Sequence, residues 1–271
     1  MPTPLLFVFR YSFFFCAVAL VSSCAPKLPA RPAGNAQPDP AAADAFTRAT
    51  AACKGYRSFE GELSLSGRAD DERVRGRILT GLEAGGAVRL EAVAPIGAPF
   101  FILAGRNERA TLVLPRERRV LSDTGVAQVL ERLTGLALGA DDLRQIIVGC
   151  FADSATPSAG RQWPGGWQAV SLAADRTVYV RTVNGQPRLV AADYGAWHVD
   201  YSEHAGGFPR LVRVRNAPGA AGIDITARVD QLQVNTQIDP RAWTVDVPAG
   251  ADPMTLDELR SIAPLADKPH Q

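Results

Sequence analysis

From residue 59 to 114 the chain alternates apolar and polar side chains. Phe59, Gly61, Leu63, Leu65 and Gly67 take every second position, as a strand with one buried face requires. Val74, Ile78 and Leu82 resume the pattern after the charged turn at 69–72. Val88, Leu90, Ala92 and Ala94 form a third strand, 99–104 a fourth across a Pro/Gly turn, 109–114 a fifth and 119–121 a short sixth. The period then changes. Val126, Val129, Leu130 and Leu133 fall at i, i+3, i+4 and i+7, and so do Leu143, Ile146, Ile147 and Cys150, which predicts two amphipathic helices separated by the glycines at 135 and 139. Asp141 and Asp142 suit the N-terminal dipole of the second.

Strands return at about 167–172, 178–182, 188–192, 197–201, 209–215, 223–228 and 231–235, with Asn184-Gly185 and Gly206-Gly207 as turn signals. A helix is expected over 41–55, a further strand at 242–247 and a short helix at 256–262. About a dozen antiparallel strands imply one long, strongly curved sheet with an apolar inner face. The two helices would cap that face. Periodicity alone leaves open whether they enclose an apolar cavity or complete a packed core.

The N-terminus has another pattern. Arg10 closes a short leader, and 11–21 is almost wholly apolar, too short to span a bilayer and of signal-peptide length. It ends in Leu20-Val21-Ser22-Ser23-Cys24, which resembles the bacterial lipobox. That implies removal of 1–23, a diacylglyceryl group on the Cys24 thiol and stable attachment by more than one acyl chain. Ala25 after the cysteine resembles an outer-membrane address, with the chain on the periplasmic face. The segment 24–43, with Pro26, Pro29, Pro32, Pro38 and Pro40, is expected to be a disordered tether. The main domain then covers 44–250, and 251–271 is a C-terminal helix and tail.

Composition narrows the function. Lys+Arg 29 against Asp+Glu 28 gives a formal net charge of +1, no electrostatic case for nucleic acid or an anionic surface. Arg116, Arg118 and Arg119 cluster, read as a solvated turn. The histidines His198, His204 and His270 have no metal-ligand spacing, and no nucleophile elbow, phosphate loop or dinucleotide fingerprint is present. The chain is therefore read as a non-enzyme without cofactor or metal. Cys53 and Cys150 remain after Cys16 and Cys24 are accounted for; in an oxidising compartment they can pair, or stay as two buried thiols.

A family resemblance lies in 88–150: Arg89-Leu90-Glu91, Ala94-Pro95-Ile96-Gly97, Leu133-Thr134-Gly135 and 141–149 (Asp-Asp-Leu-Arg-Gln-Ile-Ile-Val-Gly). With Trp197-His198-Val199-Asp200-Tyr201 and Phe208-Pro209-Arg210, their order and spacing resemble the outer-membrane lipoprotein receptor family LolB, within the LolA/LolB-like carriers. Ile146 stands where that family has tryptophan. The end of the chain, from 237 to 259, instead resembles LolA-like and mycobacterial lipid-carrier lipoproteins.

The resemblance implies a mainly β fold with helices: an incomplete, half-open antiparallel barrel capped by helices around an apolar cavity. Acyl chains would be the transient ligand, and the covalent lipid on Cys24 the only attached group. A LolA-like periplasmic carrier would deliver lipoprotein cargo to a monomeric receptor that inserts it into membrane lipid. Ile96 and Gly97 would form the insertion loop. The expected lining is Leu63, Leu65, Leu90, Phe100, Ile102, Val129, Leu133, Leu143 and Ile147. Two rival roles stand beside this: a carrier or sensor of another lipophile, such as a glycolipid, and a structural envelope lipoprotein with a filled core.

Overall fold

In a computed structural model, the described residues are 30–70, 72–151, 157–172, 175–216 and 222–262. The leader and Cys24 lie outside them. Fifteen strands form one open sheet: β1 Gln37–Pro38, β2 Ser58–Ala69, β3 Glu72–Glu83, β4 Ala87–Val93, β5 Phe101–Arg106, β6 Arg109–Leu114, β7 Arg119–Gly125, β8 Ser158–Trp163, β9 Trp167–Ser171, β10 Arg176–Val183, β11 Gln186–Tyr194, β12 Trp197–Ser202, β13 Leu211–Asn216, β14 Asp224–Val234 and β15 Asp252–Pro253. Their order is β1-β8-β9-β10-β11-β12-β13-β14-β2-β3-β4-β5-β6-β7-β15. Two meanders, β2–β7 and β8–β14, meet where β14 pairs antiparallel with β2. The helices are α1 Ala42–Ala49, α2 Val126–Thr134, α3 Ala140–Val148 and α4 Leu256–Ile262.

The result is the expected half-open, helix-capped antiparallel barrel, one pair excepted: β15 runs parallel to β7. Both sheet edges are two-residue strands ending in proline, Pro38 and Pro253. Proline has no N–H for a further strand, so the open barrel ends on edges that resist extension.

Side-chain direction follows the strand period. Val74, Ile78, Thr80 and Leu82 of β3 are buried, and Arg73, Arg75, Arg77 and Leu79 are exposed. On the inner face Phe59, Leu82, Val88, Leu103 and Leu112 join Val126 and Val129 of α2 and Ile146 of α3 in one apolar cluster. Helix α1 offers small residues at helical spacing, Ala42, Ala45 and Ala49, around Phe46, and so packs closely on β8 to β11. α2 ends where predicted and α3 ends two residues before Cys150, the last residue of its predicted stripe, each on a left-handed glycine, Gly135 (φ +77°) and Gly149 (φ +68°).

Four expectations are corrected. The tether is docked from Arg31 onward: the Arg31 guanidinium bonds the Asp193 carboxylate and the carbonyls of Ala192 (2.9 Å) and Val199 (3.1 Å). Asp39 is buried and accepts from Gln168 Nε2 at 2.7 Å. These contacts supply the ordering energy that proline and alanine side chains lack. The opening helix is shorter than 41–55: α1 stops at Ala49 and a single 3₁₀ turn, Ala51–Cys53, follows. The strands read at 223–228 and 231–235 are one strand, β14, with its register shifted between Val229 and Gln231. No strand forms at 242–247; instead a 3₁₀ turn, Pro240–Trp243, buries Trp243 on the outer face with Ala87 and Ile238.

Candidate functional site: an apolar loop and a helical cover

Strand β4 ends at Val93 and β5 begins at Phe101, with the loop closed by the Phe100 N–H on the Ala92 carbonyl at 2.9 Å. Pro95 and Pro99 remove two ladder donors and prevent the hairpin from continuing. Between them Gly97 adopts φ +82°, open to glycine at no steric cost. Ile96 is thereby carried outward and is 87% exposed, far more than any other large apolar side chain among the described residues. Arg116, in the β6–β7 turn, fixes the loop from below. Its Nε donates to the Ala98 carbonyl and its Nη2 to the Ile96 carbonyl, each at 2.9 Å. The guanidinium carbon lies 4.4 Å from the centroid of the Phe100 ring. The loop is thus a braced apolar finger.

The helical cover is fastened unevenly. α3 is bonded at both ends. Cys53 and Cys150 are joined by a disulfide that closes a separation of 97 residues. Next to it the hydroxyl of Tyr56 donates to the Arg144 carbonyl (3.2 Å) and that of Tyr201 to the Ile146 carbonyl (3.0 Å). Burial pushes both phenols well above their ordinary range, so they stay donors. At the other end Glu108, from the β5–β6 turn, accepts the N–H groups of Ala140 (2.8 Å) and Asp141 (3.2 Å). Asp142 accepts from Tyr194, whose ring is covered by Arg176. α2 is held by packing against β6, β7 and α4, by the Val126 N–H on the Glu108 carbonyl (3.0 Å), and by an exposed Arg132–Asp257 pair.

The expected lining residues sit in a closed interior. Val129 is fully buried, and Leu63, Leu90, Leu133 and Ile147 are buried in the same apolar cluster. Leu65, Phe100 and Leu143 pack on the margin of this cluster. Ile102 does not belong to it: it pairs with Glu91 on the outer face, and Phe101 and Leu103 are the inward residues of β5. The strand parity was misread by one. A cleft of about 460 Å³ opens instead at the N-terminal ends of α2 and α3, bordered by the polar side chains of Glu108, Gln128, Asp141 and Asp142. Its three carboxylates, Glu108, Asp141 and Asp142, would have to give up water to an acyl chain there.

Glu108, Tyr56 and Tyr194 carry no signal in the sequence, and Tyr201 shows only within the strand motif 197–201. Arg116 shows only within the arginine cluster at 116–119. His198 bonds Asp193, and Asp200 pairs with Arg215. Among the described residues no group of His, Cys, Asp and Glu could hold a metal ion, and no helix is long and apolar enough to cross a membrane.

No family model matches the chain, and no curated protein does. Solved structures with a similar path include a LolA superfamily protein from Nitrosomonas europaea (9% identity, TM-score 0.49, 73% of this chain and 96% of that one). A DUF1329 family protein from Desulfovibrio piger is similar at 12% identity and TM-score 0.47, over 77% and 98% of the two chains. The lipoprotein LppX of Mycobacterium tuberculosis follows at 12% and 0.32, over 74% and 98%. All three scores lie below 0.5.

Proposed function

We propose that this chain is a lipid-handling lipoprotein of the bacterial envelope. It is anchored through Cys24 at the periplasmic face of the outer membrane, takes acyl chains of lipoproteins beneath its helical cover and delivers them to the bilayer. The observation that carries this reading is Ile96, an aliphatic side chain held almost wholly in solvent by a loop built to keep it there. Exposing one isoleucine forgoes roughly 1.5–3 kcal/mol of burial, and a bilayer would recover it. The family resemblance of 88–150 supports the same role, with a LolA-like carrier as the donor of cargo.

The closed interior means that the cover must move before an acyl chain can enter. α3 is bolted by a disulfide and two tyrosine hydroxyls, so α2, held by packing, is the element that opens. Each methylene that then leaves water is worth about 0.8 kcal/mol, enough over a chain to offset separation of α2 from the core. No covalent chemistry is involved.

The test is transfer of an acylated lipoprotein from a soluble carrier to vesicles. Ile96→Glu should leave folding and acyl binding intact and slow transfer at least tenfold; unchanged transfer would remove the loop from the mechanism. The same closed interior favours a second reading, a structural envelope lipoprotein with a filled core. That reading expects no exchangeable ligand on purification, whereas a trapped glycolipid would point to a carrier or sensor of another lipophile.

A further inference from the structure

The arginine cluster at 116–119 lies beside the Ile96 loop, and its members are used differently. Arg119 is paired with Glu258 at 2.8 Å, and Arg118 donates to the Gly250 carbonyl at 3.4 Å. Arg116 spends two of its five guanidinium N–H groups on the carbonyls of Ile96 and Ala98 and has no ion-pair partner among the described residues. Its side chain is exposed, with Glu117 as the adjacent carboxylate in the chain. A cation therefore sits at the foot of an apolar tip, with donors left over.

We propose that Arg116 makes the Ile96 loop selective for anionic bilayers, its spare N–H groups taking the phosphates of anionic lipids while Ile96 enters the acyl region. The proposal rests on the reading of Ile96 as a membrane contact. The geometry suits that division of labour: the bonds that brace the tip hold the guanidinium on the backbone of Ile96 itself, so an immersed side chain brings the cation to the bilayer surface with it. Guanidinium is suited to phosphate because its planar fork bonds two oxygens at once. The near-neutral charge of the whole chain conceals this local arrangement, in which position matters more than total.

The mature chain, from residue 24 on and carrying Cys24→Ala, so that neither leader nor acyl anchor masks the loop, is mixed with vesicles of phosphatidylcholine alone or with added phosphatidylglycerol. Association should be roughly fivefold stronger with the anionic vesicles, the worth of one basic residue near such a surface, and the difference should shrink with added salt. Arg116→Gln should abolish the preference, with loss of the brace lowering association with neutral and anionic vesicles by the same factor. Arg116→Lys should restore only part of it, because one ammonium cannot hold both carbonyls and a phosphate. Arg118→Gln should keep it, and circular dichroism should match the parent in every case. Equal association with both vesicles, or a preference indifferent to Arg116→Gln, overturns the proposal while leaving the loop as a membrane contact. Association with neither overturns the membrane reading of Ile96 as well.

Discussion

Glu108 binds Ala140 across the top of the cover: the carboxylate accepts the first N–H of α3 at 2.8 Å, and the same residue's carbonyl accepts the first N–H of α2. One turn residue in the left-handed region (φ +59°) thus joins the starts of both helices to the β5–β6 hairpin. Gly139 makes room for it, since a Cβ there would lie 2.7 Å from Glu108 Oε2.

Glu108→Ala should loosen that joint. Losing a helix-start acceptor costs about 1 kcal/mol, seen as a lower urea midpoint. Hydrogen exchange should quicken at Ala140 and Asp141 with little change at the far end of α3, where Cys150 and Tyr201 hold. Uniform quickening along α3 would mean that Glu108 is no local latch.

Reduction, or replacement of Cys53 and Cys150 by serine, should cost far more. A bridge closing a loop of this length removes about 4–5 kcal/mol of unfolded-state entropy in the chain-entropy model, and native bridges typically contribute 2–5. Thermal unfolding with and without reductant measures it. An unchanged midpoint would show that the tyrosine bonds alone fasten α3.

His204 gives a pH dependence with a definite sign. Its Nε2 lies 2.8 Å from the Leu189 carbonyl, and burial holds its pKa below the ordinary 6.5. The unfolded chain therefore binds the proton more tightly, so stability present above pH 6.5 is lost as pH falls from that value through the lower pKa of the folded state. Urea midpoints should decline below pH 6.5, and His204→Gln should flatten the decline there. The carboxylates held low by arginine, Glu203 and Asp224, contribute their own loss at more acid pH.

Much of the fold is legible in the sequence because periodicity reports burial. Both cover helices are legible, since Val126–Leu133 and Leu143–Ile147 keep one apolar stripe each, though Cys150 continues the spacing beyond the end of α3. What escapes depends on partners distant in the chain. β8 has small and polar residues with no alternation, and Gly160 faces the Asp39 carbonyl so closely that a Cβ would lie 2.1 Å from it. Its pairing is set by the N-terminal segment rather than by its own pattern. Ile102 is apolar on both readings of β5, so hydrophobicity could not fix its parity; only the register against Glu91 does. Ile96 was legible as a turn-tip residue, but Arg116 was not, because its function is two bonds to carbonyls twenty and eighteen residues earlier.

The central claim, that acyl chains enter under α2, is tested most directly by photo-crosslinking. The intact lipoprotein is illuminated with a long-chain fatty acid bearing a terminal diazirine, and the adducts are located by peptide mass spectrometry. The account expects adducts at Val129 and Leu133 and on the inner residues of β2 and β4, displaced by excess unlabelled fatty acid. Labelling confined to exposed residues, or indifferent to competitor, would contradict it.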